Sequence, residues 1–147
     1  MRHELDMKEK MEVFYRKSKE YGLKVTPQRT AIYQELLKAK DHPSADIMHK
    51  RLIKRLPNIS PDTVNRTLLT FCKIGIANIV EGYGQPKRFD QDISTHHHFR
   101  CTQCNTIIDF HNDAYDNITV PKDIQKRFTV LNKKVILEGF CDKCKRK

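Results

Sequence analysis

No run of apolar residues in this chain approaches the ~20 that a membrane-spanning helix requires, so a helical membrane protein is not expected. The start, Met1-Arg2-His3-Glu4, has no apolar core of the kind a secretory leader carries, and the expected compartment is the cytoplasm. Tryptophan is missing altogether, which excludes nothing. Glycine is scarce, with five residues, and no Gly/Ser-rich stretch appears, so a long flexible linker is not expected. Acidic charge is in short supply: 18 Asp and Glu face 28 Lys and Arg, a net charge of +10 that points to a polyanionic partner. With 147 residues, 38% of them hydrophobic and 31% charged, the chain can form one domain or two small ones and is not of disordered composition.

Cysteines in a reducing cytoplasm are more often metal ligands than disulfides. Four of the five form two pairs, Cys101-Thr102-Gln103-Cys104 and Cys141-Asp142-Lys143-Cys144, separated by 36 residues. Two C-x2-C turns aim four thiolates at one ion, which suits a closed, structural, tetrahedral zinc site with no position left for substrate. The competing reading is a redox dithiol switch. Cys72 has no partner by spacing and reads as a small buried apolar residue.

The first half reads as helices. Asp6 to Tyr21 places Met7, Met11, Phe14 and Tyr15 near one face, with Gly22 as the stop. Thr26-Pro27 opens a second helix with apolar side Ile32, Leu36 and Leu37, ending near Lys40. Ser44 caps a third running to Leu56, with Ile47, Met48, Leu52, Ile53 and Leu56 as its buried face. Ser60-Pro61-Asp62 starts a fourth that runs to Ile74 and stops at Gly75. Its inner face is Val64, Leu68 and Phe71. Its outer face is Thr63, Asn65, Arg66, Thr67, Thr70 and Lys73, with no acid after Asp62, and Asn and Arg can read base edges in a major groove. Two strands follow, Ile76 to Glu81 and Lys87 to Asp90, joined by a turn at Gly82 to Pro86. Helices followed by a hairpin describe a winged helix, with Lys87 and Arg88 suited to a phosphate backbone. To Asp90 the chain carries 18 basic and 11 acidic residues, so most of the basic excess lies in this half.

From Gln91 onward metal-ligand types crowd together, and the domain boundary is set between residues 1–90 and 91–147. Strands are expected at Phe99 to Cys101, Thr106 to Phe110 and Thr129 to Phe140, the last from the alternation of Val130, Val135 and Leu137. A short helix is expected at Pro121 to Phe128. This half is under about 60 residues, too small for a self-sufficient core, and zinc and dimerisation are ways to supply the missing stability. His96 and His98 alternate by two and share a face, His97 points the other way, and Asp109 lies on the facing strand. Two imidazoles and a carboxylate form a hard donor set suited to Fe(II), Mn(II) or Zn(II).

Taken together, Thr26-Pro27-Gln28-Arg29, His42-Pro43-Ser44-Ala45-Asp46, Pro57-x-x-Ser60-x-x-Thr63-Val64, Arg88-Phe89-Asp90, His96-x-His98 and both cysteine pairs resemble the ferric uptake regulator family of bacterial metalloregulators over nearly the whole chain. The resemblance implies an α+β protein: an N-terminal winged helix-turn-helix, then a small α/β dimerisation domain with the four-cysteine zinc site. It implies a homodimeric, metal-dependent repressor of operator DNA rather than an enzyme. It also implies a regulatory Fe(II) or Mn(II) held by His42, Asp90, His96, His98 and Asp109, and DNA contacts from Arg29, Ser60, Thr63, Asn65, Arg66, Thr67 and Lys87. The pattern is most similar to the peroxide-sensing branch, in which Fe(II) reacts with hydrogen peroxide and oxidises a ligand histidine; His42 and His96 are the candidates. The iron-sensing branch usually has Glu where Asp90 and Asp109 stand, and the zinc-sensing branch a Cys before the histidines, where Gln91 to Thr95 has none. Thr95 and Lys133 stand where a second His-rich site would need ligands. Asn65 replaces the family's usual Tyr, so the operator is expected to differ. The alternative is an iron- or manganese-responsive repressor without peroxide chemistry; a constitutive DNA-binding protein and a catalytic metal centre are the readings of other classes.

Overall fold

The computed structural model describes residues 6–80 and 86–145, and the chain divides into two compact units, Met1–Ile93 and Ser94–Lys147. In the first unit the four helices are α1 (Met7–Glu20), α2 (Pro27–Lys38), α3 (Ala45–Leu52) and α4 (Pro61–Lys73). Each starts at a side chain that satisfies an orphan backbone donor: Asp6, Thr26, Ser44 and Ser60 accept from the N–H groups of Glu9, Arg29, Ile47 and Thr63. Each such cap stabilises its helix by about 1 kcal/mol. Pro27 and Pro61 occupy the first helical turn, where a missing N–H costs nothing. The chain leaves α1 and α4 through left-handed glycines, Gly22 (φ 68°) and Gly75 (φ 83°), a conformation that a Cβ disfavours.

The core of this unit is built on α2 and α4. Ala31, Ile32, Tyr33, Leu36 and Leu37 meet Val64, Leu68 and Phe71, closed by Met11 and Phe14 from α1 and Met48 and Leu52 from α3. Phe14 stacks on Tyr33 at 4.9 Å between ring centroids and meets the edge of Phe71 at 5.8 Å. Cys72 packs half-buried against this core, and burial pushes its thiol up to about 11, as an apolar role requires.

Some faces differ from expectation. Met7 is exposed at the first position of its helix, and Tyr15, one residue off the stripe of Met11, Phe14 and Ser18, leaves the buried place to Ser18. The second helix stops at Lys38 rather than Lys40. The third ends at Leu52, where the Leu52 carbonyl takes the N–H groups of both Arg55 and Leu56. Pro57 disfavours helix in the residue before it, so the turn cannot continue to Leu56. Ile47, in the first turn, and Ile53, beyond the helix end, are exposed, while Leu56 still packs on the core.

The hairpin consists of β1 (Asn78–Val80) and β2 (Arg88–Asp90), antiparallel, with Ile79 opposite Phe89. Ile76 and Ala77 are buried core residues ahead of the strand. Glu81 and the turn from Gly82 to Gln85 lie outside the described residues.

The second unit is a three-stranded sheet in the order β4-β3-β5, with β3 (His97–Cys101) central, antiparallel to β4 (Ile107–Phe110) and parallel to β5 (Ile136–Gly139). The long final strand expected from Thr129 shrinks to these four residues. Before it the backbone serves β3 irregularly: the Val135 carbonyl accepts from His98 N–H and the Val135 N–H donates to His97 Nδ1. α6 (Lys122–Arg127) lies where a helix is expected, and a one-turn α5 (Asp113–Asp116), capped by Asn112, is new. Neither helix buries a residue. The buried apolar cluster is little more than Cys101, Cys141 and Cys144 with Phe99 against them, while Leu131 (90% exposed) and Phe140 (59%) face solvent. Among the described residues no helix is long and apolar enough to cross a membrane.

Candidate metal centres and nucleic-acid interface

Parallel pairing of β3 with β5 sets Cys101 opposite Gly139, so the strand ends deliver both cysteine pairs to one point. The first pair turns through Asn105, whose φ of 63° is tolerated because a short polar side chain admits the left-handed region. The second turns through the Cys144 N–H to the Cys141 carbonyl. All four sulfurs lie within 4.8 Å of one another, and Cys104 and Cys141 stand 3.8 Å apart. That matches the edge of a tetrahedron with Zn–S bonds of about 2.3 Å and is far from an S–S bond of about 2.0 Å. The N–H groups of Cys104 and Cys141 both point at Cys101 Sγ and lower its thiol to about 6, while burial and the neighbouring sulfurs push Cys144 up to about 12. Four thiolates cannot share this space without a cation. The donor set fits a structural Zn(II).

His98 faces Asp109 directly in the β3–β4 ladder, with Nε2 3.1 Å from the carboxylate. His96, just ahead of β3, brings its Nε2 to 3.1 Å from His98 Nε2 and 3.7 Å from Asp109. With His96 Nδ1–H donating to the Ser94 carbonyl at 2.7 Å, Nε2 carries the lone pair. Three ligand atoms thus converge on one face of the sheet in the second unit. His97 faces the other way and is fully buried: Nε2 meets Asp116 at 2.7 Å and Nδ1 accepts from Val135 N–H.

In the first unit, His42 and Asp90 form a second ligand-type group, Nε2 to carboxylate 3.5 Å, both side chains buried. Folding of the 42–44 loop onto β2 brings them together: Phe89 N–H donates to the Pro43 carbonyl and Ser44 bridges to Arg88.

On the outer face of α4, Arg29, Thr63, Arg66, Thr67 and Thr70 line a shallow depression of about 290 Å³. A second, of about 500 Å³, sets Asn65 and Lys87 together with Ser44, Asp46, Pro61 and Asp62. Arg66 is exposed and tied to Asp62 at 2.6 Å.

Residues 20–138 match the ferric uptake regulator family. The chain belongs to that family. The peroxide operon regulator of Bacillus subtilis (strain 168) is 34% identical over 142 residues, 97% of this chain and 95% of that one. The peroxide-responsive repressor PerR of Staphylococcus epidermidis (strain ATCC 12228 / FDA PCI 1200) is 33% identical over 124 residues, 84% and 83% of the two chains. Among solved structures, the Helicobacter pylori ferric uptake regulator Fur has the same fold, with a TM-score of 0.78 over 99% of this chain and 97% of that chain at 19% identity.

Of the candidate DNA contacts of this family member, Arg29, Thr63, Asn65, Arg66, Thr67 and Lys87 border the two depressions. The Ser60 hydroxyl caps α4 and donates to Thr63 Oγ1 at 2.8 Å, and Thr67 reaches its depression with only 8% of its surface exposed. Arg88 differs from its expected role: its guanidinium turns onto the carbonyls of Asp41 and His42. That role, like that of the Ser94 carbonyl, leaves no mark in the sequence, because backbone acceptors have no letter of their own, and the His97–Asp116 pair joins residues 19 positions apart with no motif between them.

Proposed function

We propose that this protein is a metal-dependent transcriptional repressor that binds operator DNA as a homodimer and senses hydrogen peroxide through Fe(II) held by His42, Asp90, His96, His98 and Asp109. The observation that carries the reading is the meeting of two imidazoles with the short carboxylate of Asp109 in the second unit. The names of the peroxide-responsive relatives favour the same branch. His42 and Asp90 belong to the first unit and the other three to the second, so one ion bound by all five ties the units into a fixed arrangement. Moving a two-state equilibrium from mostly open to mostly closed takes about 5.5 kcal/mol of differential binding, within reach of five hard ligands.

The chain's own part in sensing is to hold His96, through the Ser94 carbonyl, as the tautomer with the lone pair on Nε2, and to set Asp109 against His98. Fe(II), when bound, would supply the redox chemistry by which hydrogen peroxide gives one oxygen atom to a ligand imidazole C–H, the other leaving as water. An oxidised imidazole is a poorer donor, the clamp loosens and the operator is released. Mn(II) supports repression without that loss.

Dimerisation through the second unit is supported by its face opposite His98. Phe99 pairs with Ile108 on one side and Leu137 on the other, giving an apolar row whose outer members are exposed. A unit with so few buried side chains gains stability by covering that row.

The test is operator binding with Mn(II), Fe(II) and Zn(II) in turn, followed by mild peroxide on the iron-loaded protein and mass spectrometry. Metal-dependent binding, lost with one added oxygen on the His42 or His96 peptide, is expected. No added oxygen on either leaves an iron- or manganese-responsive repressor, and binding indifferent to metal overturns the sensor reading.

A further inference from the structure

His42 is one of two non-glycine residues with positive φ among the described residues, at 55°. Such a conformation costs energy in a residue with a Cβ and persists only where surrounding structure enforces it. Here the enforcement comes from Arg88. Its Nε donates to the His42 carbonyl and its Nη2 to the Asp41 carbonyl at 2.8 Å, two donors from one edge of a planar fork on two successive backbone acceptors. Phe89 N–H to the Pro43 carbonyl (3.0 Å) and the Ser44–Arg88 bridge extend the same attachment along the loop. From the other side Arg51 Nη1 holds the Asp41 carboxylate at 3.1 Å.

Arg88 and Asp90 alternate by two on β2 and so share a face. One short strand therefore carries both the carboxylate that meets His42 and the guanidinium that fixes the His42 backbone. The direction of the Cα–Cβ bond follows from φ, so the staple decides where the imidazole points. We infer that Arg88 is a positioning residue for the regulatory metal: it holds His42 in its left-handed conformation so that the imidazole is preorganised beside Asp90. This rests on the metal-sensor reading. It also assigns to the carbonyls of Asp41 and His42 an arginine beside Lys87 that the basic hairpin offers equally to phosphate.

Lysine keeps the charge but cannot present two fixed parallel donors, so Arg88→Lys separates the roles. With zinc in place, Mn(II) binding is measured by the spin-resonance signal of the free ion for the parent, Arg88→Lys and His42→Ala. Arg88→Lys is expected to weaken Mn(II) by about 10- to 100-fold, as loss of a group that orients a ligand does. Its DNA affinity at saturating Mn(II) and its salt dependence should stay within about twofold of the parent, as a retained cation allows. Arg88→Lys binding Mn(II) as tightly as the parent, while His42→Ala does not, overturns the inference alone. A parent that takes up no Mn(II), or His42→Ala binding as well as the parent, overturns the sensor reading and the inference with it. A second measurement needs no variant: in nitrogen-15 arginine side-chain spectra of the parent, the Arg88 Nε proton should exchange far more slowly than that of exposed Arg16. Equal exchange overturns the staple.

Discussion

His98 stands directly across the β3–β4 ladder from Asp109, its Nε2 3.1 Å from the carboxylate, so pairing of the two strands by itself assembles an imidazole and an oxygen ligand. Strand register makes this contact, and the side chains need little further ordering to receive an ion. Asp109→Ala removes the charged partner and leaves the ladder intact. Loss of a ligand costs more than loss of an orienting group, so regulatory Mn(II) affinity should fall by more than about 100-fold. Zinc content should stay at one ion per chain by metal analysis. A variant that still binds Mn(II) like the parent removes Asp109 from the site.

The four-cysteine centre makes a contrasting prediction. Among the described residues the second unit has little apolar interior beyond Cys101, Cys141, Cys144, Phe99 and Ile107, so the ion replaces a core. Structural zinc contributes on the order of 10–16 kcal/mol in small domains. Cys144→Ser, or exhaustive chelation, should therefore unfold residues 94–147 while the helices of the first unit persist. Amide exchange resolved by segment reads this directly: retained protection at Phe99 to Cys101 without zinc contradicts it.

How far these features were legible depended on whether the physics was local. Thr26-Pro27 and Ser60-Pro61 announce helix starts because cap and proline act within one turn, and His96-x-His98 with Asp109 followed from strand alternation. In the Thr129 to Phe140 segment Val130, Val135 and Leu137 alternate like a strand, yet Val135 meets β3 partly through the His97 side chain and only four residues, 136–139, pair. α5 has one turn and no buried side chain, so no periodicity marks it. Arg88 reads as one more cation on a basic hairpin until its acceptors, two carbonyls 46 and 47 positions away, are in view.

The first unit is held by conventional packing, and Phe71 is the residue to test it. Fully buried, it meets Phe14 and Tyr33 edge-on, at 5.8 and 5.4 Å between centroids. Phe71→Ala should destabilise this unit by about 3–5 kcal/mol in urea unfolding, from lost transfer energy and the cavity left behind. A change under about 1 kcal/mol would mean that the helices close over the gap.

The apolar row across the sheet carries the dimer prediction. Leu137 is 42% exposed and sits beside Phe99, on the sheet face that also carries Cys101. Leu137→Asp places a charge on that row without emptying a core position. Sedimentation of the zinc-loaded variant should show monomer at micromolar concentration where the parent is dimeric. An unchanged dimer moves the interface elsewhere.

Asn65 and Lys87 line the same depression but should act on DNA differently. Asn65 lies on the helix expected in the major groove, and an amide there can pair with an adenine edge, discriminating by about 1–3 kcal/mol. Lys87 lies just ahead of the hairpin strand β2 and can meet a phosphate, which has the same charge in every sequence. Asn65→Ala should therefore weaken the cognate operator by roughly 5- to 150-fold and flatten preference at one base pair, with the salt dependence unchanged. Lys87→Ala should weaken all sequences alike and reduce the slope of log affinity against log salt by about one. Binding of operator variants across a salt series separates the two residues. If Asn65→Ala instead lowers the salt slope with specificity intact, the residue faces the backbone, and base reading passes to Arg66, whose exposed guanidinium Asp62 already holds against the helix.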